Sequence, residues 1–378
     1  MLKTIKKCIF KCIELWQKFS PVKKNLVLFE SVGDLSDNSY PLYEYLLKNT
    51  KEYKFVWVVK NEKKYKNTKR VKYISFPYRM RNLVELYYFA KAKYCFYTHE
   101  PCGVKNKKSQ LRIYLTHGFS YKNTKNLFWD VEFNSVIIRM SDYHRKLGNE
   151  CNPGEIEHSV SLGYPRTDVL VNGTDKHVDI GKGYNKLFVW LPTYRTHSCN
   201  FSAYLNENVD EFNLINRENL TKINGTLIKN NALLIIKYHP AQKLEKADFE
   251  ELSNIKTLSN DDLLNKGIEL YDLLSVSDAL ITDFSSVFAD YLLTDKPIGF
   301  ELSDYDNYSK GKGFIIDDPL ERMPGKFIYN INDFNDFINE VVAGVDHYKE
   351  QRKTERDIIH KYQDGNSTVR ILKYFNLI

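Results

Sequence analysis

Two spacings alternate along this chain. Short apolar runs bounded by polar or turn-forming residues predict buried strands, and stretches with an apolar residue every three or four positions predict amphipathic helices. In KKNLVLFESVG a strand is predicted at Leu26–Phe29, running into a polar loop with Gly33. YPLYEYLLKN predicts a helix, YKFVWVVKN and KRVKYISF two more strands, and MRNLVELYYFAKAKYCFYTH a helix leading into a strand at Tyr94–Tyr97. SQLRIYLTHG predicts a strand ending at His117-Gly118, FNSVIIRMS another, and SLGYPRTDVLV a turn into a helix with Asp168 near its first turn. The polar, glycine-bearing stretch NGTDKHVDIGKGYN predicts a linker at 172–185.

The alternation then restarts. KLFVWLPTYR, ALLIIKYHP, DALITDFSS and KPIGFEL each predict a strand with a polar exit. VDEFNLINRENLTKINGTLIKNN, GIELYDLLSVS and SVFADYLL predict helical segments between them. The tail from FNDFINEVV onward reads as helices with charged faces and no strand. The pattern is that of two α/β halves, each a doubly wound parallel unit. The expected organisation is an amphipathic helix at 1–20, α/β domains at 21–175 and 180–345, and terminal helices at 346–378. In such sheets ligands bind beyond the carboxyl ends of the strands. The polar motifs THG, PTYR, YHP and TDFSS all fall at those ends.

The first twenty residues, MLKTIKKCIFKCIELWQKFS, carry Leu2, Ile5, Ile9, Cys12, Ile13, Trp16 and Phe19 at helical spacing, with Lys3, Lys7, Lys11 and Lys18 largely elsewhere on the wheel. Lysines interrupt the apolar run too often for a bilayer span or a signal peptide. Two readings stand: a helix packed on the body, or an interfacial helix with Trp16 and Phe19 in lipid and lysines on anionic headgroups.

Composition narrows the partners. With 378 residues, 43% hydrophobic and 27% charged, the chain is an ordinary globular protein of about two domains. A net charge of +7 suits an anionic partner such as a membrane surface, a nucleotide or a phosphate polymer. No nucleic-acid motif occurs, and no nucleic-acid partner is expected. The six cysteines are scattered without a CxxC pair, as expected of reduced thiols in the cytosol.

The candidate chemistry lies at the strand ends. His117 is a candidate general base, with Gly118 allowing close approach of a substrate, or else a histidine satisfied in a turn. His239, before Pro240, is placed to donate to a phosphate oxygen. Thr193 and Arg195 offer a hydroxyl and a guanidinium, and arginine suits bidentate phosphate contact; a surface ion pair is the plainer reading. Thr282, Asp283, Ser285 and Ser286 fall where a strand gives way to a helix. There the serines either cap the helix or, with its free N–H groups, seat a phosphate. Arg166 is a candidate contact to an interdomain cleft. The adjacent carboxylates Asp261-Asp262 and Asp317-Asp318 read as solvated charge, and no metal site or cofactor motif is apparent.

Taken in order, these motifs resemble the CDP-glycerol:poly(glycerophosphate) glycerophosphotransferase family of teichoic-acid synthesis. The resemblance rests on His117-Gly118 with Lys122, then GYPRTD, LPTYR, KYHP, TDFSS and Lys296-Pro297, and finally Gly313-Phe314 and Pro324-Gly325, across roughly 25–345. Thr116 and Tyr194 stand where the family has Trp, and Phe284 where it has Tyr, so a phenol hydroxyl at that last position is not essential here.

The resemblance implies a GT-B-like pair of Rossmann-type domains with the donor in an interdomain cleft. It implies transfer of a polyol phosphate, glycerol phosphate foremost, from a CDP-activated donor to an acceptor hydroxyl, releasing CMP, in teichoic-acid or capsule synthesis. His117 would take the acceptor proton, and His239 would contact the donor pyrophosphate. Ser285 and Ser286 would hold that phosphate and Arg195 would neutralise transition-state charge, with fixed cations in place of a metal. The implied acceptor is an undecaprenyl-diphosphate-linked glycan, which would place the enzyme in the cytoplasm on the inner face of the membrane. Rival readings are a GT-B glycosyltransferase using a sugar nucleotide, with Glu301 on the ribose, and a non-catalytic membrane-associated scaffold.

Overall fold

The computed structural model describes residues 12, 15–31, 33–75, 83–98, 109–119, 121–125, 131, 134–192, 214–237, 252–311 and 313–378. Of the expected site residues, Thr193, Arg195 and His239 lie outside this set, as do residues 1–11. The chain divides into two units. One comprises Met1–His117, Leu127–Asp168 and His360–Ile378; the other comprises Gly118–Asn126 and Val169–Ile359. The stretch after His117 thus groups with the second unit, and the last residues group with the first.

The first unit is built on seven parallel strands: β1 (Lys23–Glu30), β2 (Lys54–Val59), β3 (Val71–Ser75), β4 (Ala92–Tyr97), β5 (Leu111–Tyr114), β6 (Val136–Arg139) and β7 (Ser159–Ser161), ordered β3-β2-β1-β4-β5-β6-β7. Its helices include α1 (Ser39–Asn49), α2 (Leu83–Lys91), α3 (Asp142–Cys151) and α4 (Glu155–His158); a 3₁₀ turn at Pro165–Thr167 then leads into α5 (Asp168–Asn172), of which only Asp168 groups with this unit. Leu28, Val56, Val58, Ile74, Cys95 and Ile137 pack with Phe89 of α2 into a buried cluster.

The second unit has six parallel strands: β8 (Lys186–Leu191), β9 (Ala232–Ile236), β10 (Ile255–Thr257), β11 (Ala279–Thr282), β12 (Ile298–Glu301) and β13 (Lys326–Ile328), ordered β10-β9-β8-β11-β12-β13. Every residue of β9 and β11 is buried, as expected of parallel strands covered on both faces. Around them lie α6 (Arg217–Lys229), α7 (Asn260–Asn265), α8 (Leu270–Val276), α9 (Val287–Tyr291), α10 (Tyr305–Gly311), α11 (Ile331–Ala343) and α12 (Lys349–Ile359). Phe334, Phe337, Ile338 and Val341 of α11 join Phe188, Trp190, Leu234 and Ile236 in one core. The tail is helical as read, ending in α13 (Ser367–Tyr374).

In both sheets the strand order reverses between the first strand and the fourth, β1 beside β4 and β8 beside β11. Loops leaving opposite faces of the sheet part at such a point and open a crevice at the carboxyl edge. One helix is shorter than the sequence reading, and three strands were not read from it at all. SSVFADYLL forms only a five-residue α9 followed by a 3₁₀ turn at Leu292–Thr294. The strands β7, β10 and β13, three residues each, lack the apolar run that marks the others.

Candidate active site

In the first unit the carboxyl end of β5 carries His117, whose side chain is 46% exposed. Its Nδ1 stands 3.9 Å from Oδ2 of Asp37, which belongs to the loop between β1 and α1. The other oxygen of Asp37 accepts from Nη1 of Arg166 at 2.6 Å. Both partners are largely buried, at 13% and 7% exposure. Burial pushes the Asp37 carboxyl up, but the Arg166 guanidinium and the nearby His117 ring outweigh it, and its pKa falls below the usual carboxylate value.

Neighbouring residues hold this group in place. The Asn38 amide donates to the carbonyls of Leu115 and Thr116, at 3.2 and 3.4 Å, and its oxygen accepts the backbone N–H of Arg166. Thr116 and Tyr164 share a hydroxyl–hydroxyl hydrogen bond, and the Arg166 guanidinium lies 5.5 Å from the Tyr164 ring centroid. Gly118 follows His117 at φ +134°, a conformation open to glycine and rare for side-chain-bearing residues.

GYPRTD therefore works as one piece of scaffolding. Gly163, at φ +82°, lies so close to Ser367 that an added Cβ would fall 2.5 Å from its hydroxyl. Tyr164 reaches Thr116, Arg166 reaches Asp37, and Asp168 accepts two N–H groups at the start of α13.

In the second unit the crevice between β8 and β11 lies at the TDFSS loop. Thr282 is fully buried, and its hydroxyl donates to the Leu191 carbonyl at 3.0 Å, tying the two strand ends together. Asp283 is buried as well and accepts the backbone N–H of Ser285 at 3.2 Å, an Asx-type turn that shapes the loop. Ser286 occupies the N-cap position with helical backbone angles, and its side chain makes no cap hydrogen bond. Both serines are partly exposed. The capping reading fails for Ser286, and its hydroxyl is not engaged as a cap.

Two ionisable groups flank this edge. Lys237, just past β9 in the KYHP motif, has its ammonium pushed down to about 8 by burial. Glu301, the last residue of β12, is pushed up to about 7 by burial, with Asp283 and Asp304 adding to the rise against hydrogen bonds from Ser303.

The segment after Gly118 packs on the same edge. Lys122 bridges to Phe314 in antiparallel fashion, Ile315 donates to the Tyr121 carbonyl, and Asn123 donates to that of Gly313. Lys122 Nζ stands 5.9 Å from the Tyr308 ring centroid, and that ring stacks at 4.2 Å on Phe284. Tyr121 stacks on Phe288 and donates to Glu355. The phenyl ring of Phe284 thus serves as an aromatic packing surface. Lys296 donates to the carbonyls of Ser275 and Ser277 at 2.8 and 2.6 Å and closes the end of α8, a structural use of the Lys-Pro pair. Among the described residues no three His, Cys, Asp or Glu side chains group to hold a metal ion.

A family model described as CDP-glycerol:poly(glycerophosphate) glycerophosphotransferase matches residues 13–376. The chain belongs to this family. It is 26% identical to a teichoic acid poly(glycerol phosphate) polymerase of Staphylococcus epidermidis, over 82% of this chain and 45% of that one. It is 29% identical to the teichoic acid glycerol-phosphate primase of Bacillus subtilis, over 58% of this chain and 51% of that one. The chain thus spans about half the length of these curated relatives.

Among solved structures, that of the wall teichoic acid polymerase TagF superposes with a TM-score of 0.75 at 22% identity, covering 100% of this chain and 96% of that one. A putative UDP-N-acetylglucosamine 2-epimerase from Listeria monocytogenes follows at 0.52 and 12% identity, covering 94% and 98%. These likenesses show the fold: a GT-B-like pair of α/β domains.

For this glycerophosphotransferase-family chain, the structure joins two sequence motifs through two residues that sequence reasoning missed. Asp37 and Asn38 lie in an unremarkable polar loop, yet they bring THG and GYPRTD together. Their only sequence signal is position, a loop leaving the first strand of a doubly wound sheet. Lys237 was read only as part of a motif, and its burial is not legible from spacing.

Proposed function

We propose that this chain transfers a polyol phosphate, glycerol phosphate foremost, from a CDP-activated donor to a hydroxyl of a lipid-linked glycan or polymer, releasing CMP. The acceptor oxygen attacks the phosphorus that carries the polyol. The bond from that phosphorus to the bridging oxygen breaks, and CMP departs with the bridging oxygen. His117 takes the acceptor proton. Ser285 and Ser286, with His239, Thr193, Arg195 and Lys122, supply donors and positive charge to the diphosphate. Asp283 shapes the serine turn and Thr282 braces the strand behind it.

The observation that carries this reading is the family match over residues 13–376, with the motifs THG, GYPRTD and TDFSS following the carboxyl ends of β5, β7 and β11. The names of the relatives, polymerases and primases of glycerol phosphate and polymerases of ribitol phosphate, support a polyol phosphate as the group moved. A TagF structure soaked with CDPG supports the donor class. The α9 helix is too short for a strong dipole, so the phosphate is held by hydroxyls, turn N–H groups and fixed cations.

The same proposal sets the protein on the inner face of the membrane, against anionic lipid, where such an acceptor resides. Trp16 and Phe19 are exposed, at 44% and 76%, and Val84 and Tyr87 lie exposed in α2 with Trp16 stacked on Tyr87. No described helix is long and apolar enough to cross a bilayer. Aromatic side chains beside lysines favour the interfacial zone.

Purified protein would be incubated with CDP-glycerol, CDP-ribitol and a panel of sugar nucleotides in the presence of a lipid-linked acceptor. CMP release from one CDP-polyol, abolished in His117→Ala and His239→Ala, is the expected result. UDP or UMP release with CDP-polyols inert would move the assignment to a glycosyltransferase.

A further inference from the structure

We propose that Asp37 is the positioning residue of the catalytic base: it fixes the proton of His117 on Nδ1, makes Nε2 the proton-accepting nitrogen, and balances the imidazolium that forms. The inference rests on the phosphotransferase reading above and deepens it.

The geometry divides the carboxylate between two tasks. Oδ1 is taken by Arg166 at 2.6 Å, which holds the group in one orientation. Oδ2 is left toward His117 Nδ1 at 3.9 Å, longer than a hydrogen bond in this structure. Catalytic hydrogen bonds are often long until substrate binds. A carboxylate beside Nδ1 favours the tautomer protonated there, which makes Nε2, at the opposite edge of the ring, the acceptor. Asp37 is held ionised against its own burial by Arg166 and His117.

The backbone points the same way. Asp37 and Thr116 both sit at φ +58°, in the left-handed region, one at the carboxylate and one beside the histidine. For a β-branched residue such as Thr116 this is a true outlier, and strain at such positions persists only where the surroundings impose it. Asn38 imposes it here by binding the Leu115 and Thr116 carbonyls and the Arg166 N–H. A loop needed only to neutralise Arg166 has no use for strain on both sides of the histidine.

The proton count closes. The acceptor hydroxyl loses its proton to Nε2 as its oxygen bonds to phosphorus, giving an imidazolium with protons on both nitrogens. Asp37 stays ionised throughout. The imidazolium then releases the proton to CMP or water and returns to the starting tautomer.

Two measurements test this. In protein labelled with ¹⁵N-histidine, long-range ¹H–¹⁵N correlation would read the His117 tautomer, with His117→Asn used for assignment. The Nδ1–H form in the wild type, lost or mixed in Asp37→Asn, is expected; the Nε2–H form in the wild type would overturn the proposal. In the CMP-release assay Asp37→Asn, which keeps the shape and tolerates the left-handed backbone, should lower kcat by about 10²–10⁴-fold with donor KM changed less than about threefold. Asp37→Glu should recover part of it. A folded Asp37→Asn with kcat within threefold of wild type would also overturn it. A wild type that releases no CMP from any CDP-polyol would sink the functional reading instead, and the tautomer alone would then judge Asp37.

Discussion

The carboxylate of Asp168 accepts the backbone N–H of Thr368 at 2.8 Å, and its other oxygen accepts that of Ser367 at the same distance. A residue from the middle of the chain thereby caps the helix that ends it. The first N–H groups of a helix have no partner within the helix, and a carboxylate there satisfies them with charge-assisted hydrogen bonds. Burial nonetheless pushes the Asp168 carboxyl up, against the pull of these donors.

Replacing Asp168 with Ala should cost about 1–3 kcal/mol, because two N–H groups are left without an acceptor. Urea unfolding would read the loss, and Asp168→Asn should retain part of the stability. A value within about 0.5 kcal/mol of wild type for the alanine variant would show that α13 is held by packing alone.

Lys237 is expected to make donor binding depend on pH. Burial pushes its ammonium down to about 8, so it is charged at neutral pH and loses its charge as pH rises through that value. If it faces the donor phosphates, affinity for CDP-glycerol should fall about tenfold between pH 7 and pH 9, since one proton is linked to binding. Lys237→Met should bind more weakly at pH 7 and show a flat profile. Calorimetric titration across that range would check both.

Glu301 links stability rather than donor affinity to pH. Its pKa is raised to about 7 in the folded protein, so the native state holds this proton more tightly than the unfolded chain does. The sign follows: stability from this group is full below the unfolded value near 4.5 and is lost as pH rises through 7. Glu301→Gln should therefore stabilise the protein by about 1–3 kcal/mol at pH 8 and change it little at pH 4. Chemical unfolding at the two pH values is the measurement.

The exposed aromatics near the amino end bear on membrane binding. Trp16→Glu with Phe19→Glu should reduce co-sedimentation with vesicles containing anionic phospholipid by about tenfold or more, since burying each ring in the interface is worth about 1.5–3 kcal/mol. CMP release from a soluble acceptor analogue should be unchanged. Equal sedimentation of variant and wild type would remove these residues from the interface.

Much of the fold was legible before any coordinates. FVWVV, FVWL, ALLII and ALIT are apolar because both faces of their sheet are covered, and that burial marks them as strands. IKT, KFI and SVS escaped because edge strands of three residues bury too little to leave a run. THG and TDFSS were legible as site candidates because ligands of a doubly wound sheet bind beyond the carboxyl ends of its strands. Capping was one of two readings for the serines, on a longer helix; Ser286 makes no cap bond and α9 is a single short turn that a 3₁₀ segment cuts off.

The sequence by itself determined the two parallel sheets, the edge on which polar chemistry collects, and the family, because these follow from local burial and from motif order. Only the tertiary structure decided who meets whom. Asp37 and Arg166 are 129 positions apart, and Asp168 and Thr368 are 200 apart. Asp, Asn and Arg carry no periodic signal of their own. Their meaning comes from the partner that folding brings within hydrogen-bond reach, and a parallel sheet with long crossovers takes those partners from distant parts of the chain.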